Sequence, residues 1–328
     1  MYEVTSKRIL LLSVVSITIF VVMFMLVGWK EVGAILYSIE PTLLGFAILI
    51  YFITVYIRSV RWSYLLNKIG FRIDPVRLLP FIIIGLFGNN ITPGAKIGGE
   101  PVRAYFLKMR FKLRISEGMA TIITERLMDF IVMFLFGAVG LFFVISKWNL
   151  PPKSLDILII FLLIVFIILL ILTAALLDER VLYSIGKFIP RKFRSAGITR
   201  LFLFHDNFKL LMKSPSTLIF VFICTLLNWS LELFRIWIIL LALNNYIPIE
   251  GIATAYTLSI FVGGFSFLPG GLGILEASIV ILFAIIGLSV KAGVALALVD
   301  RLIHYWMILG IGSSMMPYFG IKEIDRTV

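Results

Sequence analysis

Ten ionisable residues stand in or beside long apolar runs: Arg58, Arg61, Glu125, Arg126, Asp129, Glu232, Arg235, Asp300, Arg301 and His304. Each would cost roughly 2.5–3.5 kcal/mol at the centre of a bilayer, so each needs a partner or a function. Guanidinium groups grip carboxylate or phosphate oxygens through paired hydrogen bonds. Acids beside them orient the guanidinium or exchange protons, and a histidine titrates near neutral pH. The spacings are helical. Arg58/Arg61 and Glu232/Arg235 stand three apart, Glu125/Asp129 and Asp300/His304 four apart, so each pair shares a helix face. Arg126 and Arg301 each follow an acid directly, about 100° round the helix. Pairing alone accounts for Arg58, Arg61, Glu232 and Arg235 as structural ion pairs.

The remaining groups recur beside two glycine-rich breaks. Pro93-Gly94 is followed by Glu100, and Pro269-Gly270 is followed at the same spacing by Glu276. Glu125-Arg126-Leu127-Met128-Asp129-Phe130 is echoed by Asp300-Arg301-Leu302-Ile303-His304-Tyr305. The offset is 176 residues at the breaks and 175 at the acid–Arg pairs, which marks an internal repeat. Candidate substrate-binding residues are therefore Asn90, Pro93, Gly94, Gly98, Gly99, Glu100 and Arg103 from the first break. Pro269, Gly270, Gly271, Gly273 and Glu276 come from the second, joined by Glu125, Arg126, Asp129, Asp300, Arg301 and His304. Glycine allows backbone to approach a ligand closely, and a half-helix starting there aims its amides and positive dipole end at an anion. The same glycines would equally serve tight turns and close helix packing.

The elements that hold these groups are helices in a membrane. The 328 residues are 61% hydrophobic with a mean hydropathy of +1.07, and runs of about 20 apolar residues span a bilayer. The fold expected is an all-α polytopic membrane protein with six to eight transmembrane helices and two re-entrant hairpins in an inverted repeat. Six full spans are expected near 9–28, 41–66, 117–146, 155–177, 215–243 and 291–316. The first is too long for a signal peptide and lacks a small-residue cleavage site. Residues 78–109 and 252–288 form the hairpins, eight helices resulting if both cross fully. Irregular backbone at membrane depth requires protein or a wet cavity around it. The chain divides as a single membrane domain, 1–328, with a first repeat at 41–146, a connecting span and basic loop at 147–214, and a second repeat at 215–317.

The net charge of +12 reads as cytoplasmic loops rather than nucleic-acid binding. Placing both termini inside puts the basic loops at 67–77, 108–114 and 178–214 inside as well. The loops at 29–40, 147–154 and 244–250 then lie outside, with only Lys30, Lys147 and Lys153 between them. The first hairpin enters from inside and the second from outside. The sole cysteine, Cys224, excludes an intrachain disulfide. With two histidines, His205 and His304, no structural zinc site and no cofactor is expected.

The run Asn90-Ile-Thr-Pro-Gly-Ala-Lys-Ile-Gly-Gly-Glu-Pro-Val-Arg-Ala-Tyr, Glu125-Arg126-Leu127 with Asp129, and Leu268-Pro-Gly-Gly-Leu-Gly with Glu276 resemble the lysylphosphatidylglycerol synthase transmembrane (flippase-like) family. The resemblance covers nearly the whole chain. It implies lipid translocation. In the multiple-peptide-resistance synthases a similar region is thought to move an aminoacylated phospholipid that a separate soluble domain makes. This sequence ends at Val328 without such a domain, so no synthase activity is expected, and the lipid need not be lysylphosphatidylglycerol. The expected cargo is an anionic, zwitterionic or aminoacylated phospholipid, or a polyprenyl-linked lipid. Arg126 and Arg301 would contact the headgroup, with Arg103 at the inner mouth. An ion-coupled transporter of a small anion is the first alternative. A lipid-modifying enzyme using Glu125 and Asp129 as acid and base ranks last. The expected location is the cell membrane, multi-pass, with membrane lipids as partners; the oligomeric state is left open between monomer and homo-oligomer. In a Cys224→Ser background, Lys112→Cys should react with an impermeant maleimide from inside and Asn245→Cys from outside.

Overall fold

The computed structural model describes residues 33–34, 37, 39–92, 98–147, 152–187, 194–264, 266 and 268–324. The span expected at 9–28 and the Pro93-Gly94 turn lie outside the described residues. The regular elements from residue 41 on are all helical: α1 Pro41–Lys68, α2 Pro75–Ile91, α3 Gly99–Phe111, α4 Ile115–Lys147, α5 Pro152–Leu177, α6 Glu179–Lys187, α7 Arg194–Lys213, α8 Pro215–Ala242 and α9 Ile249–Gly264. A 3-10 turn, Pro269–Gly271, precedes α10 Ile274–Ile285 and α11 Val290–Arg301. A π-helical turn, Leu302–Trp306, joins α11 to α12 Met307–Ile324. Among the described residues, α1, α4, α8 and the continuous run Val290–Met315 are long and apolar enough to cross a bilayer. The chain is an all-α membrane protein. Proline opens α1, α2 and α8, where its missing N–H costs nothing. Asp74, Ser214 and Ser289 cap the amides of α2, α8 and α11.

The hairpin arms are short. α2 and α3 have 17 and 13 residues, α9 and α10 have 16 and 12. At about 1.5 Å per residue none reaches the roughly 30 Å of a hydrocarbon core. In the first hairpin Gly88 lies against Gly99, Gly85 against Arg103 and Phe81 against Phe106. Residue numbers rise on one arm as they fall on the other, so the chain returns to the side it entered from. The second hairpin turns through Gly270, Gly271 and Gly273, all with positive φ, a conformation that side chains with a Cβ rarely adopt.

The two halves are related as an inverted pair. Glu40 N–H meets the Ala242 carbonyl, Thr54 and Arg58 meet Glu232, and Arg61 meets Thr225. This falling register shows that α1 and α8 cross antiparallel. Each hairpin then packs on the last helix of the other half: α9 lies on α4, where Gly140 meets Thr254, and α2 lies on α12, where Phe87 meets Gly312. An exchange of that kind around an antiparallel central pair is a two-fold relation across the helix axes. The connecting helix α7 braces one flank, with Phe208 packed near Leu127 and Leu211 near Met128.

The first hairpin depends on bare backbone at Gly99, where a Cβ would stand 1.8 Å from the Gly85 carbonyl oxygen. Gly99→Val should therefore force the arms apart and lower the thermal midpoint in detergent by an amount matching about 1–3 kcal/mol or more. Gly45→Ala, with open space around it, should leave the midpoint within about 0.5 kcal/mol.

Candidate functional site

Three helices and the first hairpin converge on one arginine cluster. From α1, Arg61 donates from Nη1 to Asp129 at 2.6 Å and Thr225 at 2.7 Å, and from Nε to Glu125 at 3.3 Å. From α3, Arg103 donates from Nη2 to Glu125 at 2.8 Å and stacks over Trp62 with its guanidinium carbon 4.0 Å from the ring centre. From α4, Arg126 meets Glu100 at 2.5 Å and Asp129 at 3.4 Å. Asn89 holds the hairpin closed: its Oδ1 accepts from Gly99 N–H at 2.7 Å and its Nδ2 donates to Glu100 at 3.3 Å. Glu125 and Asp129 reach the same Arg61 because their four-residue spacing turns both toward α1.

The second repeat builds the mirror arrangement. Arg235 donates to Glu232 at 3.0 Å, Asp300 at 2.6 Å and Tyr256 at 3.0 Å. Arg301 Nε lies 2.7 Å from Glu276, and its Nη1 donates to the Gly270 carbonyl at 3.2 Å. His304, on the π-turn, places Nε2 3.4 Å from Glu232, and Nδ1 3.0 Å from Arg235 and 3.3 Å from Asp300. The repeat relation runs through every pair. Arg61 and Arg235 correspond, as do Glu100 and Glu276, Glu125 and Asp300, Arg126 and Arg301, and Asp129 and His304. Arg58 and Glu232, 174 residues apart, are themselves equivalent, and they meet each other at 3.2 Å.

The equivalence breaks in three places, and these carry the electrostatics. Arg58 faces an acid as its equivalent, Arg103 corresponds to the apolar Ile279, and Asp129 corresponds to His304. Counting Arg58, Arg61, Arg103 and Arg126 against Glu100, Glu125 and Asp129, the first cluster carries a net charge of +1. Counting Arg235 and Arg301 against Glu232, Glu276 and Asp300, the second carries −1 while His304 is neutral. The first cluster also encloses a cleft of about 20 Å³, lined by Arg58, Arg61, Arg103, Arg126, Glu125 and Asp129. Arg126 is 37% exposed at its side chain and Arg58 19%, so the cleft reaches the protein surface through them.

Asn90, Gly98, Gly99, Glu100, Arg103, Glu125, Arg126 and Asp129 all lie on or beside the first hairpin and its cluster. Pro269, Gly270, Gly271, Gly273, Glu276, Asp300, Arg301 and His304 gather at the second. Pro93 and Gly94 are outside the described residues. The end of α2 faces the second break: Gly270 abuts Tyr305 and the Asn90 carbonyl, and Asn90 Nδ2 donates to the His304 carbonyl at 3.3 Å. That contact is packed, and the cleft lies on the first-hairpin side of it. The half-helices α3 and α10 start at Gly99 and Ile274, and at α3 the first amide already has a partner. Asn89 takes the Gly99 N–H, and Glu100 and Glu276 occupy the two first turns, satisfying the helix dipoles internally. Arg301 is buried on Glu276, whereas the Arg126 side chain is 37% exposed. Arg61, Glu232 and Arg235 are ion-paired, and Arg58 is both paired and part of the cleft wall.

Asn89, Trp62, Tyr256, Thr225 and Asn228, whose Oδ1 accepts from Arg58 Nε at 3.2 Å, escaped sequence reasoning because neutral side chains carry no signal in an apolar run. The π-turn carrying His304 also had none, since the equivalent stretch of α4 is regular helix. Such turns are frequent at functional sites. Among the described residues no three His, Cys, Asp or Glu side chains converge as a metal site requires.

An inverted-repeat membrane core with a buried, charge-paired centre defines the class. The chain matches the family described as the lysylphosphatidylglycerol synthase TM region over residues 9–312, and it belongs to that family. It is 28% identical over 331 residues to a UPF0104 membrane protein of Methanothermobacter thermautotrophicus, covering 96% of this chain and 97% of that one. It is 26% identical to a UPF0104 membrane protein of Pyrococcus horikoshii, covering 93% and 96%. A shorter stretch of 131 residues is 29% identical to glycosyltransferase AglD of Haloferax volcanii, covering 40% of this chain and 20% of that one.

The pairing of Arg301 with the fully buried Glu276 can be tested by a double-mutant cycle. Arg301→Met or Glu276→Leu alone strands a buried charge and should cost about 3–5 kcal/mol. The double variant should recover most of that loss in thermal midpoint.

Proposed function

We propose that this protein translocates a membrane lipid with an anionic phosphate headgroup, the headgroup passing along the arginine cleft while the tails stay in the bilayer. The observation that supports this most is the convergence of Arg58, Arg61, Arg103 and Arg126 on one cleft inside a helix bundle, with Arg126 reaching the surface. Guanidinium pairs suit phosphate oxygens geometrically, and inverted repeats with broken helices are a common transporter architecture. The family's name ties its membrane region to lysylphosphatidylglycerol, itself a phosphate diester, and a similar stretch occurs in a glycosyltransferase. Both fit a lipid carrier whose cargo differs between members. The first hairpin and both termini are assigned to the cytoplasmic side, in line with the basic loops.

The cleft admits only a water-sized group as it stands. Loading therefore requires the first hairpin to move away from α4, breaking the Arg126–Glu100 contact. The same small volume favours a second reading, transport of a small soluble anion. Acyl, glycosyl or other lipid chemistry is not assigned to the site, which holds no nucleophile–base pair among the described residues.

Purified protein in liposomes with headgroup-labelled anionic phospholipid, read with a membrane-impermeant quencher, separates these readings. Wild type should bring label to the far leaflet and leave the lipid chemically unchanged. Arg103→Ala and Arg126→Ala should each slow transfer by about 10–100-fold, as expected for loss of a hydrogen bond to charge worth about 1.5–3 kcal/mol. Wild type equal to empty liposomes, with uptake of a small anion instead, would replace the lipid reading by the second one.

A further inference from the structure

We propose that His304 couples the cleft to protons: one proton taken up at His304 accompanies each monoanion bound among Arg58, Arg103 and Arg126. This rests on the cleft as an anion site and adds the coupling ion. Charge in a low-dielectric interior must be compensated nearby. Among the described residues of the bundle interior, Arg58, Arg61, Arg103, Arg126, Arg235 and Arg301 are matched one for one by Glu100, Glu125, Asp129, Glu232, Glu276 and Asp300. An anion entering the cleft upsets that balance by one charge. The arginines and acids are paired with one another, and His304 is the imidazole placed among them, within 3.4 Å of Glu232 and 3.3 Å of Asp300, to take up the compensating proton.

The geometry supplies the connection. Glu232 is shared by Arg58 at 3.2 Å, Arg235 at 3.0 Å, Thr54 at 3.3 Å and His304 at 3.4 Å. Arg58 belongs to the cleft wall as well. When an anion draws Arg58 away from Glu232, that carboxylate loses one of its two arginines, and a proton on His304 replaces the missing positive charge. Conversely, protonated His304 offsets Glu232 and frees Arg58 for the anion. The groups facing His304 are Tyr51 from α1 (ring centres 4.6 Å apart), Glu232 and Arg235 from α8, Asp300 from α11, and Asn90 from α2 through the His304 carbonyl. Tyr256 of α9 bonds both Asp300 and Arg235 behind them. In the neutral ring Nδ1 accepts from Arg235 and Nε2–H faces Glu232. Adding a proton converts Nδ1 to a donor, which must turn from Arg235 to Asp300, 3.3 Å away. The imidazole is 23% exposed, so one face of the ring is open to an incoming proton. In the first repeat the equivalent position is Asp129, a carboxylate held by Arg61 and Arg126, so only the second repeat carries an imidazole there.

The test is calorimetric titration of the detergent-purified protein with two permanently monoanionic diesters: dihexanoyl phosphatidylglycerol and dimethyl phosphate. Each is run in two buffers of different ionisation enthalpy, from pH 5 to 9. Binding should tighten as pH falls, by up to tenfold per pH unit, and the buffer difference should show uptake approaching one proton per anion. His304→Gln should bind with no proton uptake and an affinity flat in pH. Glu232→Gln, which removes the charge His304 offsets, should do the same. Tighter binding of the lipid identifies a headgroup site, and equal or tighter binding of dimethyl phosphate a soluble-anion site; uptake with either supports the coupling. Binding without proton uptake in wild type, or uptake retained in His304→Gln, would overturn the coupling and leave the cleft standing. No binding of either diester at any pH would overturn the cleft and the coupling together.

Discussion

Arg58 and Glu232 meet where the two halves of the molecule cross, each the repeat equivalent of the other. A charge in the interior of a membrane protein persists only with a partner, and this contact is where the positive excess of the first repeat finds the negative excess of the second. Everything else in the centre is arranged around that constraint. Arg61 and Arg235 sit one turn further along α1 and α8, each held by acids from the same half. Arg126 and Arg301 close on the first-turn glutamates of the two hairpins. Among the described residues, the charges of such a core balance as a whole and are polarised between its halves.

The two hairpins are built alike. Their arms touch at bare backbone: Gly88 on Gly99 in the first, Gly271 on Gly263 in the second. Each hairpin is fastened both to its own half, through Arg126–Glu100 and Arg301–Glu276, and to the last helix of the other half. The two halves are not in the same state. The first has a cleft and a regular α4, the second a π-turn at the equivalent place. Differences of this kind between inverted repeats are what an alternating mechanism exchanges.

Much of this was legible in the sequence because period and spacing survive without contacts. The Pro-Gly and acid–Arg echoes revealed the repeat, the length of each apolar run separated spanning helices from hairpin arms, and the helical spacing of Glu125 and Asp129 placed both on one face. Partners were not legible. Nothing in the sequence says that Glu100 takes Arg126 or that Glu276 buries Arg301, because these contacts join residues that the hairpin fold alone brings together. For the same reason Arg58 read as an ordinary ion pair, although it also walls the cleft. The half-helix amides read as an open anion site, since the sequence could not show Asn89 reaching across to Gly99. The departures from repeat symmetry, Arg103 against Ile279 and Asp129 against His304, were visible in the residues, but their meaning needed the two clusters side by side.

The most direct measurement is an experimental structure of the protein in nanodiscs of anionic phospholipid. The account predicts phosphate density within about 3 Å of the Arg126 and Arg58 guanidinium nitrogens, with the first hairpin shifted from α4 and the second unchanged. Phosphate density seated on Arg301 at the second hairpin instead, or an anionic lipid confined to the periphery with the first cleft still closed, would contradict it.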